Sequence, residues 1–160
     1  MSDQLWFLDT LMTVHVSGGQ TDGAYALLEC LAPPGHMPPP HVHADDAEGF
    51  FILDGELTLH TEDGATTLTP GSGFHAPAGR PHTLEVTSAT PCRWLVISAP
   101  AGFEAFVRAF GEPAARAELP VLEGPPDVER LTRVAAEHGI TFVGPPGTRP
   151  QVTALHEAIR

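Results

Sequence analysis

Residues 35–55 read GHMPPPHVHADDAEGFFILDG, a stretch that places two histidines and a carboxylate within eight residues and then turns. His41 and His43 are two apart, and in an extended strand residues i and i+2 point to one face, so both imidazoles converge on one point. Glu48 lies five positions beyond His43, an odd number that would face it away in an unbroken strand. The segment 44–47, with its polar pair Asp45-Asp46, must therefore bulge or turn to bring the carboxylate back. Asp45 and Asp46 themselves read as solvated turn residues. The run Pro38-Pro39-Pro40 stiffens the approach to His41, which preorganises the ligands. A further histidine, His82, ends the segment GSGFHAPAGRPH at 71–82, where Gly79 and Pro81 flank a tight bend. Three imidazoles and one carboxylate are then available to one divalent transition metal, with Fe, Ni, Mn, Co, Cu and Zn all chemically suited.

Working outward, many short β-forming runs are separated by turns at intervals of about eight to twelve residues, with no helical period between them. They cover roughly residues 6–16, 24–32, 49–53, 56–60, 65–69, 74–76, 83–86 and 93–98, and Asp54-Gly55 and Asp63-Gly64 are hairpin signals. Such a chain predicts antiparallel β-structure closed on itself to hide its edges. Phe50, Phe74 and Trp94 are expected in the core. His75 faces either the barrel cavity or the outside, since alternation alone does not assign its face, and the lone His15 reads as a polar-face residue. Beyond Pro100 the period changes. Phe103, Phe106, Val107 and Phe110 recur at helical spacing. A second helix is expected over 127–138, with Val128, Leu131 and Ala135 on its buried side and Gly139 past its end. Residues 153–159 either form a short helix or fray.

At 160 residues the chain suits one domain, a barrel over 1–100 with a helical extension over 101–160 packed against it. Eight basic against twenty acidic residues give a formal charge of -12, which disfavours nucleic acid and anionic membrane surfaces as partners. The N-terminus has neither a basic region nor a long apolar run, and no stretch of about twenty apolar residues occurs, so a cytoplasmic location is expected. Cys30 and Cys92 fall in apolar runs, where reduced buried thiols are the default. The run Trp6-Phe7-Leu8 at an exposed sheet edge would be better covered by a second subunit, which predicts a homodimer.

Two patterns in order give the chain a family resemblance. Gly35, five residues, His41-x-His43, four residues, Glu48, six residues and Gly55 match the first signature of the cupin superfamily without adjustment. Gly71, five residues, Pro77-x-Gly79, two residues and His82 match the second, whose final asparagine is replaced here by Val86. That asparagine is not one of the family's metal ligands. The resemblance implies an all-β double-stranded β-helix, or jelly-roll barrel, with short C-terminal helices. It also implies a metal held by His41, His43, Glu48 and His82. More narrowly, the chain resembles single-domain cupins of the quercetin 2,3-dioxygenase-like type, whose barrel is followed by an aromatic helix similar to AGFEAFVRAFGEPA at 101–114. The narrower resemblance implies a dioxygenase acting on a small enol or phenol, flavonol-like or polyketide-like, with Glu48 as ligand, general base or both. The same barrel also hosts metal-dependent isomerases, cyclases and lyases and non-catalytic ligand binders, and fold alone does not separate these.

Overall fold

The computed structural model describes residues 3–152. Two antiparallel sheets face each other. The larger is built from β1 (Asp3–Phe7), β2 (Thr10–Val16), β3 (Ala26–Ala32), β5 (Ala47–Asp54), β8 (Gly73–Ala76), β10 (Cys92–Ala99) and β11 (Glu112–Pro113), ordered β11-β1-β2-β3-β10-β5-β8. The smaller holds β4 (His41–His43), β6 (Leu57–Thr61), β7 (Gly64–Leu68), β9 (His82–Val86) and β12 (Ile140–Phe142), ordered β12-β4-β9-β6-β7. This is the all-β double-stranded β-helix that the sequence resemblance implied.

Period-two alternation builds the core. On β3, Ala26, Leu28, Cys30 and Ala32 are buried; on β10, Cys92, Trp94, Val96 and Ser98 point inward while Arg93 and Ile97 face out. Each inward row runs across the sheet, as Met12, Cys30, Trp94 and Ile52 do on β2, β3, β10 and β5. Phe50 and Trp94 are buried in this core, as expected, and Phe74 packs half-buried against it. Both cysteines are buried free thiols.

The N-terminal run expected as one strand over 6–16 is a hairpin. It reverses at Leu8-Asp9, with Leu8 at φ 56 and the Thr10 hydroxyl donating to the Phe7 carbonyl at 2.6 Å. Uninterrupted β-forming residues hide this turn, because its central residue is a leucine rather than one of the usual turn formers. Leu8 faces the core, and packing there overrides the local preference.

The segment after Pro100 contributes to both sheets. Helix α1 (Phe103–Phe110) buries Phe106, Val107 and Phe110, and the Phe7 ring meets those of Phe106 and Phe110 edge-on at 5.2 and 5.5 Å. Then β11 pairs with β1, so the chain covers its own first edge. Helix α2 (Val128–Glu137) starts at Asp127, whose carboxylate accepts from the Arg130 amide. Its buried face is Leu131, Val134 and Ala135; Val128, expected on that face, is exposed in the first turn. The Arg130 guanidinium stacks on the Phe110 ring and donates to the carbonyls of Ala109 and Phe110, fastening α2 to α1. Strand β12 then pairs with β4, the strand that carries His41 and His43. Among the described residues, no helix is long and apolar enough to cross a membrane. The helix considered for 153–159 lies outside the described residues.

Candidate metal centre

Four side chains meet between the two sheets. His41 and His43 come from β4, His82 from the first position of β9, directly opposite His41, and Glu48 from β5 in the other sheet. The break expected between His43 and Glu48 is therefore a crossing. Residues 44–46 leave the smaller sheet, and Ala47 begins pairing in the larger one. One potential ligand atom from each of the four residues lies within 4.8 Å of the other three. His43, Glu48 and His82 are buried, and His41 nearly so.

Each imidazole is held by its Nδ1. That of His41 donates to the Pro39 carbonyl at 2.8 Å, that of His43 to the Asp46 carboxylate at 3.2 Å, and that of His82 points at the Arg80 carbonyl at 3.5 Å. With a proton fixed on Nδ1, Nε2 carries the lone pair. The His82 and His43 Nε2 atoms lie 2.8 and 3.3 Å from one Glu48 oxygen. Yet the His43 Nε2 is buried and has no partner in hydrogen-bonding geometry. A buried polar atom without a partner is costly, and a cation in the midst of these donors would satisfy it. Nitrogen and carboxylate donors of this kind suit a divalent transition metal, so the residues fit the group the family implies.

The electrostatics follow from burial among mixed charges. Burial, reinforced by the neighbouring His82 and His43, pushes His41 down to about 3, so it stays neutral and ready to ligate. Burial pushes Glu48 up, but the three histidines outweigh it and bring the carboxyl down to about 2. Burial lowers His43, yet Glu48 and Asp46 together raise it above the ordinary histidine value. Glu48 is thus a buried, ionised carboxylate.

Asp46 is not the solvated turn residue the sequence suggests. Besides receiving His43, its carboxylate accepts from the buried Ser98 hydroxyl at 2.9 Å. Ser98 in turn accepts from the Phe103 amide, so the start of α1, Ser98, Asp46 and His43 form one chain of hydrogen bonds. The only hint in the sequence was the position of Asp46 three residues after a histidine; Ser98 is remote and shows its role only through its pairing with Glu48 in the sheet. Asp45 is exposed, as expected, and so is His75, which lies outside the barrel and supplies nothing to the cluster.

Against the cluster lies a cavity of about 80 Å³ with mostly apolar walls, including Phe50, Leu84, Trp94, Val96, Phe103 and Phe142. The contribution of Phe142, from the short strand β12, was not visible in the sequence. Bonds from the Ala44 amide to the Gly139 carbonyl and from the Val143 amide to that of Pro40 hold β12 beside the ligands.

The two sheets thus bring three histidines and one carboxylate together as a candidate metal site. Residues 28–98 match the cupin domain family model, so this part of the chain carries a cupin domain. The chain is 29% identical over 111 residues to quercetin 2,3-dioxygenase of Bacillus subtilis, a match that covers 69% of this chain and 33% of that protein, so the chain spans a minor part of its relative's length. Among solved structures, a predicted oxalate decarboxylase from Thermotoga maritima superposes with a TM-score of 0.55 at 20% identity, covering 62% of this chain and 92% of that one. A sugar phosphate isomerase of the cupin superfamily from Silicibacter pomeroyi superposes with a TM-score of 0.51 at 19% identity, covering 59% and 61%. These structural likenesses concern the fold.

Proposed function

We propose that His41, His43, Glu48 and His82 hold one divalent transition metal and that the protein is a dioxygenase acting on a small enol- or phenol-type substrate. The observation that carries the reading is the ionised Glu48 carboxylate, buried among three imidazoles at the wall of an apolar cavity. The likeness to quercetin 2,3-dioxygenase supports it. A metal in this place would supply Lewis acidity toward an enol or phenol oxygen and a route for electrons between substrate and dioxygen. The chain's own residues do the rest. Phe50, Leu84 and Val96 seat the apolar framework, Phe103 and Phe142 exclude water, and Glu48 takes the proton from the neutral enol or phenol hydroxyl, leaving the substrate as its anion. Asp46 and Ser98 keep His43 in the tautomer that presents Nε2.

Turnover of a polyphenol or enol panel by the Fe-, Ni- or Mn-loaded protein, with and without oxygen, tests the reading. A dioxygenase stops when oxygen is removed. Turnover that continues anaerobically would instead make the protein a metal-dependent isomerase, cyclase or lyase, and ligand binding without turnover a binding module.

We further propose a cytoplasmic homodimer. The two buried free thiols suit a reducing compartment. The first edge is covered by β11, so the surface that favours a partner is the outer face of β5 and β10, where Phe51 and Ile97 are exposed.

A further inference from the structure

Two polar side chains that line the cavity are not used by the metal cluster. Trp94 is 2% exposed and lines the cavity, and its indole Nε1 is buried without a hydrogen-bond partner. His36 also lines the cavity, and its Nδ1 donates to the Asp9 carboxylate at 2.7 Å. Asp9 belongs to the turn of the first hairpin; burial pushes its carboxyl up, but the hydrogen bond from His36 holds it below the usual carboxylate range.

Two strands place these groups at the same remove from the ligands. On β10, Ser98 pairs with Glu48, and Trp94 lies four residues back, opposite Ile52 and Cys30. On β9, His82 is a candidate ligand, and Val86, four residues on, accepts from the Gly35 amide and donates to the His36 carbonyl. Four strand residues span about 13 Å, so the backbones of Trp94 and Val86 each stand that far along their strand from the cluster's level. Between lie the apolar side chains of Phe50, Leu84 and Val96. His36 also borders an outer hollow of about 330 Å³, which shares Leu8, Leu131 and Phe142 with the cavity.

We propose that Trp94 and His36, the latter positioned by Asp9, form a second anchor that takes a hydroxyl group at the end of a one-ring phenolic ligand whose other, acidic oxygen goes to the cluster. The indole N–H only donates, and the His36 Nε2, with the ring proton committed to Asp9, accepts. A hydroxyl is the group that satisfies both, since it accepts from the indole and donates to the imidazole. A carbonyl or carboxylate would leave the imidazole lone pair unmet. The anchor rests on the reading of the cluster as the seat of the substrate's acidic oxygen, and it narrows that substrate to a two-headed one.

Benzohydroxamate and 4-hydroxybenzohydroxamate, bound to the Ni-loaded protein, read the anchor directly, because the hydroxamate engages the metal and only the second probe carries the hydroxyl. The hydroxyl should tighten binding by about tenfold in the wild type. In Trp94→Phe and His36→Leu that advantage, read as the ratio of the two affinities within each variant, should vanish. In Asp9→Ala the ring ¹⁵N shifts of His36 should show the Nδ1-protonated tautomer lost, and the hydroxyl advantage should shrink. An absent hydroxyl advantage in the wild type, or an undiminished one in either folded variant, overturns the anchor. Failure of both hydroxamates to bind a fully loaded protein would overturn the cluster reading instead. Phenol against toluene, read as melting shifts of wild type and Trp94→Phe without metal, then decides the anchor on its own: a phenol-specific shift lost in the variant sustains it, and equal shifts refute it.

Discussion

At the residue scale, the four side chains of the cluster do different jobs. His41 and His82 face each other across β4 and β9, so replacing either with alanine removes a donor that no neighbour replaces. Both variants should lose most of their metal, and with it the rise in melting temperature that metal gives the wild type; full metal content and unchanged melting in both would exclude them as ligands. Glu48→Gln separates holding from chemistry. Three imidazoles suffice for many divalent metals, so metal content should fall modestly while turnover drops about 100-fold or more with the loss of the proton acceptor. Stoichiometry and rate measured on one preparation check this, and a fully active, fully loaded Glu48→Gln would rule the carboxylate out as base. His43 gives the site its pH response. Glu48 and Asp46 overcome its burial and raise its value, so a metal must displace its proton below that value and not above. Affinity should therefore be flat at alkaline pH and fall by about tenfold per pH unit once His43 protonates. His41, pushed down to about 3, does not add to the slope near neutrality. Chelator competition between pH 5.5 and 8.5 measures it. Asp46→Asn should move the onset to lower pH, and an unchanged onset would deny Asp46 its part.

At the element scale, two glycines in turns that cross between the sheets show what the family signatures encode: Gly55 joins β5 to β6, where the sequence suggests a hairpin, and Gly71 joins β7 to β8. Gly55 and Gly71 have φ of 81 and 88, a region where a Cβ costs about 1–2 kcal/mol. Only Gly55 is also crowded: a Cβ there would come within 2.8 Å of the Cys92 Cα and 2.9 Å of the Pro91 carbonyl, whereas nothing lies within 4 Å at Gly71. Gly71→Ala should cost about 1–2 kcal/mol in urea unfolding and Gly55→Ala distinctly more; equal losses would show that the strand end yields to the methyl group. The first hairpin teaches the converse lesson. Its turn at Leu8-Asp9 departs from the usual turn chemistry, and Leu8 is held there by the core it packs against. That is why the local pattern reads as one strand.

At the scale of the whole molecule, the segment beyond Pro100 completes what the barrel begins. It covers the β1 edge, extends β4 and walls the cavity. What it leaves uncovered is the outer face of the larger sheet, where Phe51 and Ile97 are each 45% exposed. Sedimentation at micromolar concentration should give a dimer, and Phe51→Glu with Ile97→Glu should shift it to monomer. A wild-type monomer would count against the proposal, and a dimer indifferent to both changes would place the interface elsewhere.

The sequence by itself determined the parts that are local or periodic. His41-x-His43 requires only that i and i+2 share a face; the alternation of β3 and β10 selects the core; and the spacing of Phe106, Val107 and Phe110 sets the buried side of α1. The glycines and prolines mark turns because few other residues adopt those backbone angles. What only the tertiary structure decided depends on elements distant in the chain. Ser98 became a support for Asp46 and His43 because β10 lies against β5; Phe142 became a wall because β12 pairs with β4; and His36, Asp9 and Trp94 line or border one cavity although they come from a loop, a hairpin turn and a strand. Long-range pairing is a property of the closed barrel, and no window of the sequence contains it.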